Sequence, residues 1–368
     1  MPVSIPSLSY PANTQNVNPA LVFSKYRLAL GKVRAGTANA RILCVGDSTF
    51  AGTGDSTTAT IPATKSCPTR LAQILNTTVT PSAVGLGIPP SILNGQADQR
   101  WTLGTGWATE SNFGAGAAAS YLGTASTGNL VYTPSPQVTC DGFYVYYLGN
   151  STLGTLTCTA SGGSSTPILC SSLSAGVYRT LISAGSASAT NSLTIVGTVA
   201  NNHVVGVEPV LSTKSQVLVG NAGVGSTLSG SWASSGTANF NAVPFIKTVA
   251  PDLTIISLGI NDAANSASVA TFSNNMQTII TAAKISGDVL LCDMPPSSSG
   301  IGGGGPALEA TYLSVYANLA AVNNCAYLSM WGRFGGAWQT SYMSDQAHCN
   351  DQGNFDWAQF IANVIAAP

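Results

Sequence analysis

Residues 41–49 read RILCVGDST, and they indicate how the chain around them folds. The apolar and β-branched residues at 41–46 predict a short buried strand, and the small polar residues that follow predict a sharp turn into a helix. A serine at such a turn, here Ser48, exposes its hydroxyl at the edge of a sheet, where the helix amino terminus also offers amides to an anion. The alternative is structural, since Asp47 and Ser48 also suit a helix cap or an Asx turn.

Strands and helices alternate on both sides of this stretch, apart from one long interruption. The predicted strands lie at 41–46, 216–219, 252–258, 288–293 and 326–329, and the predicted helices at 20–33, 66–76, 240–249, 268–285, 306–323 and 351–366. This alternation predicts a parallel sheet with helices on both faces, an α/β domain formed by residues 1–95 and 212–368. Right-handed crossovers then place the carboxyl ends of the strands along one edge, where ligand sites form.

The interruption, residues 96–211, differs from the rest of the chain in composition and patterning. It is rich in Gly, Ser and Thr, and short alternating runs such as FYVYYL at 143–148 predict an inserted antiparallel β-sandwich or jelly roll. Its aromatic side chains could stack on sugar rings, which would make the module a carbohydrate-binding one; they include Trp101, Trp107, Phe113, Tyr144, Tyr146 and Tyr147. Since aromatic residues occupy both alternating faces of the run at 143–148, one of these faces is expected to be core, and core packing is favoured for any single aromatic.

The composition excludes several classes of protein. The 368 residues include 13 Lys and Arg and 14 Asp and Glu, for a net charge of -1 and only 7% charged residues. Nucleic-acid binders and proteins steered to anionic membranes need clustered cations, so neither is expected, and neutral or sugar-like partners are favoured. Residues 1–18 show no signal peptide, and the apolar runs are shorter than the roughly 20 residues of a membrane span, so we expect a soluble chain.

The eight cysteines are scattered and form no C-x-x-C pair, so no thiolate metal site is predicted. Cys158 and Cys170 could form a disulfide in an oxidising compartment, although spacing alone does not decide this. His203, beside two asparagines in the β module, is expected to be an ordinary surface or turn residue.

Three further segments carry polar groups to the predicted sheet edge. Residues 220–227 form a glycine-rich turn that offers bare backbone amides but lacks the lysine of a phosphate-binding loop. Asn261 follows the next strand and can donate a side-chain N–H to an oxyanion, unless it only forms a turn. His348 has Asp345 three residues upstream, close enough for the carboxylate to accept the Nδ1 proton and direct Nε2 at a hydroxyl.

In this order the four segments resemble the SGNH hydrolases, also called GDSL esterases. The resemblance implies a flavodoxin-like α/β/α domain over about two thirds of the chain, with Ser48 as nucleophile, His348 as general base and Asp345 as its orienting carboxylate. It also implies an oxyanion hole made by the Ser48 amide, a glycine amide and the Asn261 side chain. For the glycine we choose Gly225 and keep Gly223 in reserve, because an ungapped alignment to the family pattern puts Ser226 at that position.

The resemblance implies a serine esterase that needs neither metal nor cofactor. Relatives with an added β module often act on O-acetyl groups of polysaccharides, so an acetylated glycan or small ester is the expected substrate. An extracellular, cell-surface, periplasmic or phage-virion location would suit that role. Two alternatives stay open: a lipase or thioesterase for longer acyl chains, and a non-catalytic glycan-binding surface or phage tail protein.

Overall fold

The computed structural model describes residues 22–54, 60–61, 65–78, 82–85, 97–98, 100–115, 119–123, 127–135, 137–198, 201–234 and 241–366. The strands, in chain order, are β1 (Ala40–Gly46), β2 (Thr60–Ile61), β3 (Ser82–Gly85), β4 (Ala97–Asp98), β5 (Trp101–Leu103), β6 (Trp107–Ala115), β7 (Ala119–Gly123), β8 (Leu130–Tyr132), β9 (Cys140–Gly149), β10 (Thr155–Ala160), β11 (Thr166–Leu169), β12 (Gly176–Ser188), β13 (Leu193–Thr198), β14 (Asn202–Val210), β15 (Val217–Gly223), β16 (Leu253–Ser257), β17 (Asp288–Cys292) and β18 (Ala326–Leu328). The α-helices are α1 (Ser24–Arg34), α2 (Ser48–Ala51), α3 (Cys67–Thr78), α4 (Ser229–Ala233), α5 (Ala242–Val249), α6 (Ile260–Ala264), α7 (Val269–Lys284), α8 (Gly305–Asn323), α9 (Met330–Arg333) and α10 (Asp351–Ile365).

The α/β part is built on a six-stranded parallel sheet with the order β18-β17-β16-β1-β15-β3. Helices cover both faces, because each face of the sheet presents apolar side chains that must be buried. Side chains of α1, α3 and α10 form one core, which includes Leu30, Leu71 and Trp357. Side chains of α5, α7 and α8 form the other, which includes Phe245, Phe272 and Tyr316. The predicted α/β/α architecture is therefore present.

Two details of this sheet differ from the sequence prediction. The short edge strand β3 was not predicted, since its four residues, SAVG, carry little strand signal on their own. Strand β15 extends to Gly223, so residues 220–223 belong to the strand and not to the glycine-rich turn. Pairing of Gly46 with Gly223 in register keeps this glycine stretch extended.

The β module consists of two five-stranded antiparallel sheets, ordered β11-β10-β13-β8-β5 and β12-β9-β14-β7-β6. Phe143 and Val145 of β9 point into the core between the sheets, and Tyr146 and Leu148 pack with Phe245 of helix α5 in the α/β part. Both faces of β9 are therefore buried. The predicted inserted β module is present, and it packs directly on the α/β part.

The aromatic residues considered for sugar stacking are mostly core residues. Trp101, Trp107, Tyr146 and Tyr147 are all buried. Tyr144 is half-buried, with the guanidinium groups of Arg41 and Arg179 each 5.2 Å from its ring centroid. The side chain of Phe113 lies outside the described residues. The sequence pattern favoured core packing for any single aromatic, and four of these six side chains are buried.

All eight cysteines are buried free thiols, so Cys158 and Cys170 are not joined in this structure. Among the described helices, none is long and apolar enough to cross a membrane.

Candidate active site

The sheet brings three of the four polar segments to one edge. Gly46 at the end of β1 pairs in register with Gly223 of β15 on one side and with Ser257 of β16 on the other. The Val224 amide then donates to the Gly46 carbonyl at 3.1 Å, which holds the glycine-rich turn against the end of β1. Because the strands are parallel, the residues after them emerge side by side.

Ser48 begins the short helix α2 directly after β1. The Asp47 carboxylate accepts the Thr49 amide at 2.9 Å and the Thr49 hydroxyl at 2.8 Å, so Asp47 does cap the helix. Gly46 is required by the turn, since a Cβ there would lie 2.7 Å from the Phe50 ring. With Asp47 occupied by capping, the Ser48 hydroxyl is left for another partner.

That partner is His348, which lies three hundred residues away in sequence. Its Nε2 is 2.8 Å from the Ser48 Oγ, and its Nδ1 is 2.8 Å from Oδ2 of Asp345. The structure therefore brings together the three residues of the predicted triad in the predicted order. Its geometry has a hydroxyl, an imidazole and a carboxylate in one hydrogen-bonded line.

A tight turn holds Asp345 and His348 in place. Oδ1 of Asp345 accepts the Ala347 and His348 amides at 2.8 Å each, and the Ser344 amide donates to the His348 carbonyl at 2.9 Å. From outside the turn, Trp338 Nε1 donates to the Asp345 carbonyl at 2.8 Å. The carboxylate therefore orients the imidazole while being itself fixed by the backbone.

The two carboxyl groups near Ser48 titrate differently. Partial burial alone would raise the pKa of Asp345, but hydrogen bonds from His348 and the Ala347 amide outweigh it and lower that pKa to about 2. Complete burial raises the pKa of Asp47 to about 6, although its bonds from Thr49 oppose this. Asp345 is consequently ionised at neutral pH and suited to stabilise an imidazolium.

The structure distinguishes the two glycine amides that were considered as oxyanion-hole donors. The Gly223 amide donates to Oδ1 of Asn221 at 2.9 Å, so it is already used within its own segment. Gly225, the predicted donor, is buried in the turn that follows. Ser226 is exposed and has φ of 59°, a left-handed conformation that favours glycine, which fits its alignment with the family's glycine position.

Asn261 lies in the first turn of α6, half-buried, after Gly259. Gly259 has φ of 125° and a Cβ there would lie 2.3 Å from the Met294 methyl, so glycine is required at this turn. The Asn261 Nδ2 donates to the Thr227 carbonyl at 3.0 Å. Because an amide nitrogen carries two hydrogens, one more can be donated to a bound oxygen.

A second glycine-rich segment, residues 297–305, connects two parts of the site. The Ser298 amide donates to the Gln346 carbonyl at 2.8 Å, and the Gly304 amide donates to the Ala263 carbonyl at 2.9 Å. A Cβ on Gly303 would lie 2.1 Å from the Ala264 carbonyl oxygen, so this contact needs glycine. The segment thus spans from the histidine turn to the helix that carries Asn261.

One expectation about the histidines was wrong. His203 is not a surface residue but is buried in β14, with Nδ1 2.9 Å from Oε2 of Glu110. Burial lowers its pKa to about 4. Neighbouring polar residues suggested a turn, but the strand begins at Asn202, directly after Asn201 in the left-handed conformation.

Sequence reasoning also missed several contacts. Nothing in the sequence singles out Trp338, Ser229, Asn275 or Asp262. Asp262 accepts two hydrogen bonds from Ser229. No local spacing links these residues, since their partners lie in separate elements. Within the part of the chain that the structure describes, no group of three or more metal-ligating side chains is present.

The solved structures that resemble this chain include esterases. A peptidoglycan O-acetylesterase structure matches with a TM-score of 0.69 and 20% identity, covering 96% of this chain and 99% of that chain. An acetyl xylan esterase matches with a TM-score of 0.34 and 20% identity over 41% and 82% of the two chains. A family two carbohydrate esterase from Cellvibrio japonicus matches with a TM-score of 0.30 and 11% identity over 73% and 96%. The first similarity shows a shared fold.

Sequence comparison supplies the family. No curated protein sequence matches the chain significantly. Residues 188–354 match the model of the GDSL-like Lipase/Acylhydrolase family, a region that contains Gly225, Asn261, Asp345 and His348 and begins after Ser48. Over residues 188–354 the chain therefore matches a domain of the GDSL-like Lipase/Acylhydrolase family, also called the SGNH hydrolases, a family of carboxylic ester hydrolases.

Proposed function

We propose that this protein is a serine esterase that works through an acyl-enzyme and removes acetyl groups from an O-acetylated glycan. The observation that carries the proposal is the hydrogen-bonded line from Asp345 through His348 to Ser48, with 2.8 Å at both imidazole nitrogens. Asp345, ionised and bonded to Nδ1, holds the tautomer in which Nε2 lacks a proton and can accept one.

The reaction would proceed in two halves. Nε2 of His348 takes the Ser48 proton while Oγ bonds to the ester carbonyl carbon, and the imidazolium then gives that proton to the departing alkoxide as its bond to carbon breaks. Water, deprotonated by the same Nε2, then attacks the acyl-enzyme and releases the carboxylic acid. Ser48 recovers its proton, so the enzyme returns to its starting state.

The oxyanion formed in each half needs N–H donors. The free hydrogen of the Asn261 side chain, the Ser48 amide at the start of α2 and the amide of Gly225 are the proposed donors. Removing one such donor typically lowers kcat by about 10²–10³-fold. Asn261→Ala tests one donor separately.

The acetylated glycan is proposed on two grounds. A peptidoglycan O-acetylesterase shares the fold over nearly the whole of both chains, which includes the β module of this protein. A chain in which only 7% of residues are charged suits a neutral polymer better than a highly charged one.

The test is acetate release from O-acetylated peptidoglycan, acetylated xylan, p-nitrophenyl acetate and p-nitrophenyl octanoate. We expect acetyl substrates to be preferred, and Ser48→Ala to lose turnover while Ser257→Ala, a buried serine at the end of β16, keeps it. Turnover that persists in Ser48→Ala would refute the nucleophile. Preference for octanoate would refute deacetylation, and glycan binding without release of acetate would indicate a non-catalytic protein.

A further inference from the structure

The side chain of Asn261 is aimed by an acceptor that is itself fixed. Its Nδ2 donates to the carbonyl of Thr227, which leaves the second hydrogen pointing away from that oxygen. Thr227 is fully buried, its hydroxyl donates to the Val224 carbonyl at 2.7 Å, and Trp232 Nε1 donates to that hydroxyl at 3.3 Å. The direction of the Asn261 amide therefore depends on how the turn at 224–227 sits against helix α6.

A second set of bonds joins these two segments. Asp262, the residue after Asn261, accepts the Ser229 amide on Oδ2 at 2.9 Å and the Ser229 hydroxyl on Oδ1 at 2.6 Å. Asn275 of helix α7 donates to the same hydroxyl at 3.0 Å. Ser229 is fully buried and lies two residues after Thr227. Thr227 is thus hydrogen-bonded to Asn261, and Ser229 is hydrogen-bonded to the neighbouring Asp262.

The chemistry of this contact suits a rigid link. Burial raises the pKa of Asp262, and the two bonds from Ser229 oppose that rise by stabilising the carboxylate. Hydrogen bonds to a carboxylate are short and about twice as strong as those between neutral groups. Losing the hydroxyl would leave a buried carboxylate oxygen and the Asn275 amide without their partner, and the start of α4 would be free to shift.

We propose that Ser229, acting with Asp262, is a positioning residue that aims the second amide hydrogen of Asn261 at the oxygen of the reacting ester. The inference rests on the proposed function, since it assigns Asn261 to the oxyanion hole. Ser229 touches neither substrate nor nucleophile. Its effect is confined to the angle between the turn and α6, and a displacement of about 1 Å at a reacting centre can cost about 10²-fold in rate.

A double-mutant cycle tests it, with kcat and KM measured for p-nitrophenyl acetate and the melting temperature measured for each variant. The variants are Ser229→Ala, Asn261→Ala, both together, and Ser257→Ala as a matched control, since Ser257 is also a buried serine but its hydroxyl has no partner among the described residues. We expect Ser229→Ala to lower kcat about tenfold with KM nearly unchanged. In the Asn261→Ala background, the same substitution should change kcat less than about twofold, because the hydrogen that it misaligns is gone.

Asp262→Asn provides a second route to the same result if Ser229→Ala folds poorly. The new amide group would face the Ser229 hydroxyl, which already accepts a hydrogen bond from Asn275, so the contact between residues 229 and 262 is weakened without a change in side-chain size. Fully additive losses in kcat, or a Ser229→Ala kcat equal to that of Ser257→Ala, would overturn the positioning role. Turnover retained by Ser48→Ala would instead refute the proposed function, whatever the cycle shows.

Discussion

Replacing Asp345 by Asn should leave the turn intact and place the wrong tautomer at His348. Oδ1 of Asp345 accepts two backbone amides at 2.8 Å, so the carbonyl oxygen of an asparagine will take the same place. The amide NH2 then occupies the position of Oδ2, which is nearer to Nδ1 than Oδ1 is (2.8 Å against 3.0 Å), and donates to Nδ1. The proton of the neutral imidazole moves to Nε2, which can no longer accept from Ser48.

The size of the effect follows from the cost of the alternative orientation. Turning the amide over would forfeit two backbone hydrogen bonds of about 1 kcal/mol each, so the productive tautomer falls about 30-fold in population. Loss of the ionised carboxylate beside the imidazolium lowers kcat by a further factor of about ten to a hundred. The same substitution in a serine protease triad lowers kcat by about 10⁴-fold. Because the Asp345 side chain is half-exposed, we expect a smaller fall in kcat, of about 10³-fold.

The assay is p-nitrophenyl acetate hydrolysis at pH 7.5, with the melting temperature measured alongside. Asp141→Asn is the matched control, because Asp141 also accepts a backbone amide and a hydroxyl, from Ser212, but lies in the β module. Its kcat should be unchanged. An Asp345→Asn enzyme that keeps more than a tenth of the kcat of the unaltered protein would refute the argument from tautomer selection.

Three other predictions concern the surroundings of the site. Asp47→Asn keeps the cap on Thr49 and removes a buried carboxyl whose pKa burial raises to about 6. Because a raised carboxyl pKa lowers stability as pH rises above the unfolded value of about 4, the free energy of unfolding of the variant should exceed that of the unaltered protein at pH 8 by at most about 3 kcal/mol. Below pH 4 the two proteins should be equally stable. An equal gain at both pH values would contradict this. Trp338→Phe removes the donor to the Asp345 carbonyl and should lower kcat severalfold with little change in melting temperature; an unchanged kcat would show that the turn is held without it. Ellman's reagent should detect fewer than one thiol in the native protein and eight after unfolding, since all eight cysteines are buried and burial raises the pKa of thiols such as Cys140; fewer than eight after unfolding would indicate a disulfide.

The groups that bear the chemistry could be predicted because they depend on short-range patterns. Ser48 follows a strand within two residues, and the Asp345 carboxylate reaches His348 within one turn of chain. Parallel strands carry the segments of Ser48, the glycine-rich turn and Asn261 to a common edge whatever their distance in sequence. His348 follows no strand directly, so its 2.8 Å contact with Ser48 was expected only from the resemblance to the SGNH hydrolases.

Contacts between separate elements could not be predicted in this way. The bonds of Ser229 to Asp262 and Asn275 span 33 and 46 residues, and nothing in the spacing of a lone serine marks it as their partner. Burial of His203 likewise depends on the pairing of β14 with β7 and β9, which the local sequence Asn-Asn-His does not reveal. The polar residues around His203 suggested a turn, but its pairing and packing in the sheet place it in a buried strand.

The β module is hydrogen-bonded to β1, the strand that leads to Ser48, and this contact limits how far the module can move relative to the site. Arg41 of β1 lies 3.1 Å from the Glu208 carboxylate of β14, and Tyr146 donates to the same carboxylate at 3.3 Å. Arg179 of β12, whose guanidinium lies over the same Tyr144 ring as that of Arg41, donates to the Val249 carbonyl of α5 at 3.1 Å. Removing one partner of a buried ion pair typically costs about 3–5 kcal/mol, so these bonds oppose any separation of module and α/β part. The contacts of Arg41 and Arg179 therefore hold the module in one position on the α/β part, so we expect it to stay fixed there and not to swing relative to Ser48 during turnover.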